Sequence, residues 1–261
     1  MREIIDLEAY PIDQPDAPAA LRLVEDCRAR LAADGMFTLD GFMRPEAVAA
    51  ALAPLKPKFE TESFLHQRSH NIYFKDEVDG LSPDHPALAK RETTNRTLCA
   101  DQLGDNPLIA LYEAPAFAAF LAAVMEKPAL FTMDDPLARV NVMTYRAGEA
   151  LNWHFDRSEF TTTLLLEAPE DGGAFEYRTD LRTDDDPNFD GVARLLRGED
   201  PEVKRISLNP GALNVFRGKN TPHRVTPPKG ARNRTIAVFS FYETPGTAFS
   251  AVERQGFYGR S

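Results

Sequence analysis

The amino-acid sequence predicts an α+β protein in which a helical N-terminal part precedes a mainly β core. Before about residue 135, apolar residues recur at helical spacing in three segments. From Arg139 onward, short β-branched and aromatic runs are separated by Gly, Pro, Asn and Asp. The length of 261 residues suffices for one large domain. We therefore expect a single domain over 1–261, helical over about 1–135, with a sandwich or barrel core at about 136–245.

The first predicted helix covers residues 18–34 and ends before Gly35. Its apolar residues define one stripe at helical spacing, formed by Leu21, Val24, Cys27 and Leu31. A short strand is expected over 36–39. A second helix is expected over 45–55, where Pro45 occupies a favoured first-turn position.

The next segment, residues 57–105, is polar and lacks a clear period, so we expect it to be irregular. A third helix is expected over 107–126. Pro115 lies inside it and should kink or split it, because proline removes a backbone hydrogen-bond donor.

Six apolar runs in the C-terminal half predict the strands of the β core. They are RVNVMTY, which leads to a turn at Gly148, then TTTLLLE, AFEYRT, KRISL, ALNVF and RTIAVFSFY. An acidic insertion over 181–202 interrupts them, and we expect a loop there with a short helix at about 189–197. Its run of three aspartates, 184–186, is interpreted as a solvated acidic loop and not as a metal site.

Composition and charge argue against several classes of function. The formal net charge is -10 and no block of Lys and Arg occurs, which argues against a nucleic-acid partner. A small anionic ligand remains compatible with this charge, because it needs only one or two arginines. Cys27 and Cys99 are far apart and form no CxxC pair, so we expect reduced thiols. The N-terminus has no apolar run and no stretch reaches the length of a membrane span, so we expect a cytoplasmic protein.

Two histidines of the β half occur in contexts that suggest a metal site. His154 lies in NWHFD, and residues two apart in a strand point to the same face, so His154 and Asp156 can bind one ion. His223, in KNTPHRVTPP, is expected to supply a third ligand from another strand. Two imidazoles and one carboxylate form the facial triad of non-haem iron(II) oxygenases, which keeps coordination positions open for a co-substrate and dioxygen.

Arg234 stands eleven residues after His223, at the head of an apolar strand. Its guanidinium can form a bidentate salt bridge to the distal carboxylate of 2-oxoglutarate, because a buried carboxylate needs such a partner. Arg232 lies two residues earlier and would share this face, so it is the alternative anchor. Asn141 and Tyr145 alternate inward along one strand, where they can hydrogen-bond 2-oxoglutarate or occupy ordinary core positions.

The order of these motifs resembles that of a known superfamily. The motifs are Y-x-x-G at 145–148, H-x-D at 154–156, GG-x-F at 172–175, PG-x-L-x-x-F at 210–216, H-R-V-x-P at 223–227 and the late Arg234. Over residues 139–243 the chain resembles the iron(II)/2-oxoglutarate dioxygenases. The resemblance implies a double-stranded β-helix (jelly-roll) core, with iron(II), 2-oxoglutarate and dioxygen as cofactors and succinate and carbon dioxide as co-products.

Three segments narrow the resemblance to one group. WHFD, TTTLLLEAPEDGGAFEY and PGTAFSAVERQGFYGR are similar to segments of the carrier-independent amino-acid halogenases of the lysine type. Those enzymes have Gly where this chain has Asp156, and the gap lets chloride bind the iron. The resemblance therefore implies hydroxylation here, of a small, free, polar substrate such as an amino acid or a derivative. Leu151, three residues before His154, is apolar, so a lysine pocket does not carry over.

A polar and aromatic cluster in the irregular segment is a candidate substrate site. Its members are Arg68, His70, Asn71 and Tyr73. Such loops often cover bound substrates, and a solvated loop is the equal alternative. The other two histidines, His66 and His85, are expected to face solvent. Trp153 is expected to pack, because its side chain should point away from that of His154.

Alternative functions remain open at this stage. A hydroxylase of protein side chains, of the prolyl type, would need an open groove. A desaturase or cyclase would use the same ligands. A hydrolase on a cupin-like barrel would have no use for Arg234. A metal-binding sensor without turnover would release no succinate. The expected partner is a small molecule, with no nucleic acid and no membrane, and a homodimer is compatible with the sequence.

Overall fold

The computed structural model describes all 261 residues, in seven α-helices and thirteen strands. The helices are α1 (Pro18–Asp34), α2 (Pro45–Leu52), α3 (Leu55–Thr61), α4 (Pro107–Tyr112), α5 (Pro115–Val124), α6 (Phe189–Arg197) and α7 (Ala251–Tyr258). The first seven strands are β1 (Met36–Leu39), β2 (Phe64–His70), β3 (Arg91–Leu98), β4 (Phe131–Thr132), β5 (Val140–Tyr145), β6 (Leu151–His154) and β7 (Thr161–Glu167). The others are β8 (Phe175–Tyr177), β9 (Lys204–Ile206), β10 (Leu213–Phe216), β11 (His223–Val225), β12 (Arg234–Phe239) and β13 (Phe241–Tyr242).

The strands form two main antiparallel sheets that face each other. The larger sheet has the order β1-β10-β7-β12-β5-β3-β2, and the smaller has the order β6-β11-β8-β9. From β5 to β12 the chain passes repeatedly from one sheet to the other, which is the connectivity of a double-stranded β-helix. The predicted mainly β, jelly-roll core with flanking helices is therefore confirmed.

The larger sheet has an apolar outer face and a mixed inner face. The outer face packs against the helices in one core cluster that includes Val142, Leu164, Val215 and Phe239. The inner face of β5 carries the alternate residues Asn141, Met143 and Tyr145, which were predicted to point inward. Residues directly opposite each other on the paired strands β5 and β12 point to the same side of the sheet. The inner face therefore includes alternate residues of β12, beginning with Arg234.

The structure corrects the prediction for residues 57–105. This segment contains α3 and the paired strands β2 and β3, which extend the larger sheet, so the N-terminal part is not purely helical. The alternation in β2 was not recognised because its inward-facing residues are polar, whereas those of a typical strand are apolar. Leu65 is exposed, whereas His66 and Arg68 point to the inner face beside the site. The helix predicted over 45–55 is α2, which ends earlier, at Leu52, before α3 begins at Leu55.

The first helix buries a slightly different stripe from the predicted one. Cys27 and Leu31 are buried, and Val24 packs partly against the core, as predicted. Leu21 is 52% exposed, and Ala20 is buried in its place. Successive residues are about 100° apart around a helix, so Ala20 lies at the centre of this stripe and Leu21 beyond its edge.

Other elements agree closely with the sequence. α1, α6 and β7 have the predicted limits, and Pro115 divides the third helix into α4 and α5. The C-terminal helix α7 was not predicted. It begins at a capping box in which Ser250 and Glu253 bond each other's backbone N–H groups. None of the helices combines the length and the apolarity that crossing a membrane would require.

Candidate metal centre and co-substrate pocket

The structure brings together the three residues predicted as metal ligands. His154 closes β6 and stands opposite His223 in the pairing of β6 with β11. One ligand atom from each of His154, Asp156 and His223 lies within 4.8 Å of the others. The Nε2 atom of His154 is 3.3 Å from Asp156 Oδ1, and that of His223 is 3.5 Å from Asp156 Oδ2. Asp156 lies two residues beyond the end of β6, not within a strand, yet its carboxylate still faces both rings.

Hydrogen bonds orient both imidazoles for metal binding. His154 Nδ1 is 2.8 Å from the carbonyl oxygen of Asn152, and His223 Nδ1 is 3.1 Å from that of Thr221. A carbonyl only accepts, so each Nδ1 donates a proton to it, and Nε2 is the ring nitrogen that remains for a metal ion. Such hydrogen bonds to the far nitrogen are typical of metal-binding histidines. Two imidazoles and one carboxylate are a ligand set that fits iron(II).

The charges at this centre are arranged for a cation. Burial by itself would raise the pKa of Asp156, but His223, His154 and the Thr161 hydroxyl outweigh it and hold this pKa below its usual range. Burial lowers the pKa of His223 to about 4, although Asp156 opposes the shift. The centre therefore presents an ionised carboxylate beside a neutral His223 at neutral pH.

The structure distinguishes the two arginines that the sequence left as alternatives. Arg234 begins β12 on its inner face and is 3% exposed, whereas Arg232 is exposed to solvent. Arg234 Nε donates to the carbonyl oxygen of Gly173 at 3.0 Å, and no carboxylate pairs with the guanidinium. Burial lowers the pKa of Arg234 to about 10. A buried cation without a counter-charge is costly, which makes it a natural partner for a carboxylate ligand.

Tyr145 lies beside the proposed co-substrate anchor, whereas the side chain of Asn141 is engaged by hydrogen bonds within the protein. Tyr145 is buried opposite Arg234 in the ladder, with the Arg234 guanidinium carbon 6.0 Å from the centre of its ring. The Asn141 amide donates to the carbonyl oxygens of Leu137 and Val140, and its oxygen accepts from the hydroxyl of Tyr258. The structure thus favours the core role for Asn141, which anchors α7.

The predicted substrate cluster is divided between different environments. Asn71 shapes a turn, because its side-chain oxygen accepts from the backbone of Tyr73 and Lys75. The Tyr73 ring stacks on Phe155, in an apolar cluster on the other side of β6. Both ring nitrogens of His70 are engaged, by the Asn71 carbonyl and the Thr93 hydroxyl. Only Arg68 carries a charged group with no hydrogen bond or ion pair to the protein.

Phe74 connects this cluster to the metal centre and was not recognised from the sequence. Its ring stacks on His70 at 4.3 Å between centroids and meets the edge of His154 at 5.6 Å. The Arg68 guanidinium carbon lies 4.3 Å from the centre of the same ring. Phe74 has a φ of 54°, a left-handed conformation that is unusual for an aromatic residue. No sequence signal marks it, because neither its type nor its spacing is distinctive.

Predictions for the remaining residues had mixed outcomes. His66 and His85 do not face solvent freely, because both are half-buried and His85 accepts from Ala87 N at the start of a 3-10 turn. Trp153 is buried and packed as predicted, with the Arg224 guanidinium over its ring. The two cysteines are buried and unpaired. The three aspartates at 184–186 are exposed.

Comparison with solved structures places this fold among the 2-oxoglutarate oxygenases. HygX from Streptomyces hygroscopicus, solved with nickel and 2-oxoglutarate bound, superposes with a TM-score of 0.56 at 12% identity, over 86% of this chain and 89% of that one. An oxidoreductase of the 2OG-Fe(II) oxygenase family from Burkholderia pseudomallei gives 0.53 at 15% identity, over 86% and 92%. A Pseudomonas putida prolyl-4-hydroxylase gives 0.51 at 16% identity, over 83% and 98%.

Sequence comparison assigns the family. No protein of curated function matches the chain. The family model described as Halogenase D matches residues 22–248, most of the length. The family model and the fold agree with the predicted superfamily, and the three clustered ligand atoms agree with the predicted metal. The chain therefore belongs to the Halogenase D family, within the iron(II)/2-oxoglutarate oxygenases.

Proposed function

We propose that this protein is an iron(II)- and 2-oxoglutarate-dependent oxygenase that hydroxylates an unactivated C–H bond of a free amino acid or a similar small carboxylate. In this proposal His154, Asp156 and His223 hold the iron, and Arg234 binds the distal carboxylate of 2-oxoglutarate. The observation that carries the proposal is the set of three ligand atoms within 4.8 Å of one another.

The bound group and the protein contribute different parts of the reaction. Iron(II) with 2-oxoglutarate and dioxygen supplies the oxidant that cleaves a C–H bond, with succinate and carbon dioxide as co-products. The residues of the chain bind and orient the reactants. Arg234 offers a planar fork that matches a carboxylate, and Tyr145 forms the wall beside it. The position of the substrate relative to the iron then decides which C–H bond reacts.

Arg68 is the proposed group for the substrate carboxylate. It lies on the inner face of β2, and its Nε atom is buried without a hydrogen-bond partner. Burial, and secondarily the nearby Arg157, lowers the pKa of Arg68. The Phe74 ring contacts both its guanidinium and the ring of His154. A substrate carboxylate would form an ion pair with this half-buried guanidinium and place the neighbouring carbons towards the metal centre.

Hydroxylation, and not halogenation, is the outcome that Asp156 favours. The Halogenase D name suggests a reaction in which a halide takes a position beside the two histidines. In this chain a carboxylate faces both histidines, and the Thr161 hydroxyl donates to it at 2.6 Å. A halide would have to displace an ionised, hydrogen-bonded ligand.

A substrate screen tests the proposal. The protein, loaded anaerobically with iron(II), is supplied with 2-oxoglutarate, ascorbate, chloride and air, together with single free amino acids. Each amino acid is compared with the amine that lacks its carboxylate. We expect at least one amino acid to stimulate succinate release and to gain one oxygen atom, while its matched amine does neither.

Other outcomes would refute defined parts of the proposal. A chlorinated product would refute the hydroxylase assignment, and loss of two hydrogens would indicate desaturation or ring closure. Equal stimulation by the amines would refute the role of Arg68. The absence of iron-dependent succinate release with every compound, and also without substrate, would refute the oxygenase assignment for this chain.

A further inference from the structure

We infer that Thr161 and Gly218 are positioning residues that hold the Asp156 carboxylate so that a single oxygen, Oδ1, is directed to the metal. This inference rests on the metal site of the proposed function. It concerns how the chain prepares a ligand before the metal arrives, and not the identity of the ligands.

The first observation is the hydrogen bond from Thr161. Its hydroxyl donates to Asp156 Oδ2 over 2.6 Å, a short distance typical of a bond to an ionised acceptor. Each Asp156 oxygen faces one imidazole, Oδ1 at 3.3 Å from His154 Nε2 and Oδ2 at 3.5 Å from His223 Nε2, and only Oδ2 also receives a hydroxyl. The two oxygens are therefore unequal, because the Thr161 hydroxyl engages Oδ2 alone and leaves Oδ1 as the oxygen more available to a cation.

The second observation is the absence of a side chain at Gly218. A Cβ atom built there would overlap Oδ2, Cγ and Cβ of Asp156. The backbone of Gly218 is not in the left-handed region, so the requirement for glycine is space and not φ. The Gly218 carbonyl also accepts from Asp156 N at 3.0 Å. Gly218 thus lies directly against the Asp156 side chain and leaves it the space that a side chain would take.

Strand pairing explains why these residues meet. Thr161 begins β7 opposite Phe216, the last residue of β10, and Gly218 follows two residues later. The Phe216 ring meets the edge of His223 at 4.6 Å between centroids. The same ladder therefore aligns the residues that contact Asp156 with the ring that packs against His223.

Coordination through one oxygen has a chemical consequence. A carboxylate can bind a cation through one oxygen or through both. With three protein donor atoms, an octahedral ion keeps three positions for other ligands, enough for a chelating keto acid and one more group. If both oxygens of Asp156 bound, one of those positions would be lost. The Thr161 hydroxyl opposes this by keeping Oδ2 in a hydrogen bond.

The test is an anaerobic titration of the apoprotein with cobalt(II), whose visible absorption depends on the number and arrangement of its ligands. We expect Thr161→Val, which keeps the shape but loses the hydroxyl, to weaken cobalt affinity by about 10- to 100-fold and to change the spectrum. Thr161→Ser keeps the donor and should restore both. Gly218→Ala should weaken affinity in the same range, because the added methyl displaces the carboxylate.

Two controls separate this inference from the metal site itself. Gly256→Ala makes the same change where no atom beyond the backbone of its own helix lies within 4 Å of the added carbon, so it should bind cobalt as the wild type does. His154→Ala should lose cobalt binding. If His154→Ala bound like the wild type, the proposed metal site would be wrong. A different outcome would refute only the positioning roles. In it, His154→Ala loses cobalt binding, whereas Thr161→Val and Gly218→Ala are folded and keep the wild-type affinity and spectrum.

Discussion

Replacing Arg234 by Met should make the ligand-free protein more stable and its binding of 2-oxoglutarate weaker. Met retains much of the aliphatic length of Arg but carries no charge. The two effects have opposite signs because the guanidinium is buried without a counter-charge in the protein and is proposed to obtain one from the co-substrate.

The size of each effect follows from the structure. Burial lowers the pKa of Arg234 from 12.5 to about 10. At about 1.4 kcal/mol per pH unit, the charge costs the fold about 3 kcal/mol. Because the folded-state pKa is the lower one, the unfolded chain binds the proton more strongly. The cost is therefore complete below pH 10 and disappears as the pH rises towards 12.5.

The bond from Arg234 Nε to Gly173 offsets part of this gain. Its loss costs about 1 kcal/mol, so the net stabilisation of the variant should be about 2 kcal/mol. For a chain of this size that corresponds to a rise of roughly 4–8 °C in the unfolding temperature. Loss of a bidentate, charge-assisted pair costs about 3 kcal/mol, which lowers 2-oxoglutarate affinity by roughly 100-fold.

Two measurements check these values. Thermal unfolding is followed in the absence of metal and 2-oxoglutarate, and calorimetric titration with 2-oxoglutarate is carried out on the cobalt-loaded protein. Arg232→Met is the matched control, because Arg232 is exposed and should alter neither quantity. The reasoning is refuted if Arg234→Met unfolds at a lower temperature than the wild type, or if it binds 2-oxoglutarate as tightly.

Three further predictions concern the metal centre and its surroundings. Asp156→Gly should abolish hydroxylation, measured as oxygenated product by mass spectrometry, and full retained activity would show that the carboxylate is not a ligand. Arg68→Gln should raise KM for an amino-acid substrate by about 10-fold or more through loss of a charged hydrogen bond, with succinate release in the absence of substrate unchanged. Burial, Arg68 and His70 lower the pKa of His66 to about 4, so the unfolded chain binds more protons between pH 6.5 and 4 and stability falls as the pH falls through that window. His66→Gln should reduce this fall in denaturant titrations at several pH values, and an unchanged pH dependence would contradict the burial of His66.

Local patterns in the sequence were sufficient for much of the fold. Helical spacing and end signals placed α1 and α6, and uninterrupted β-branched runs placed β7. These features depend on neighbours along the chain, which is why they can be read without a structure. β2 was missed because its inner residues are polar. They face the site and not a hydrophobic core, so the usual alternation is reversed.

The site residues also fall into those that local motifs predicted and those that only the structure could identify. His-x-Asp, a later His and a late Arg are local motifs with a chemical meaning, and they led to the proposed ligands and the co-substrate anchor. The choice between Arg234 and Arg232 was different. They are two residues apart, and only the position of the sheet end buries one and exposes the other.

The sequence by itself determined the chemical class of this protein, because the donor types and their order along the chain suffice to indicate an iron and 2-oxoglutarate centre. The tertiary structure alone decided which groups support that centre. Strand register brings Thr161 and Gly218 to the centre. Phe74 reaches it through its own left-handed backbone conformation. Contacts between residues distant in the chain depend on how whole sheets align, and no short segment of sequence encodes that alignment.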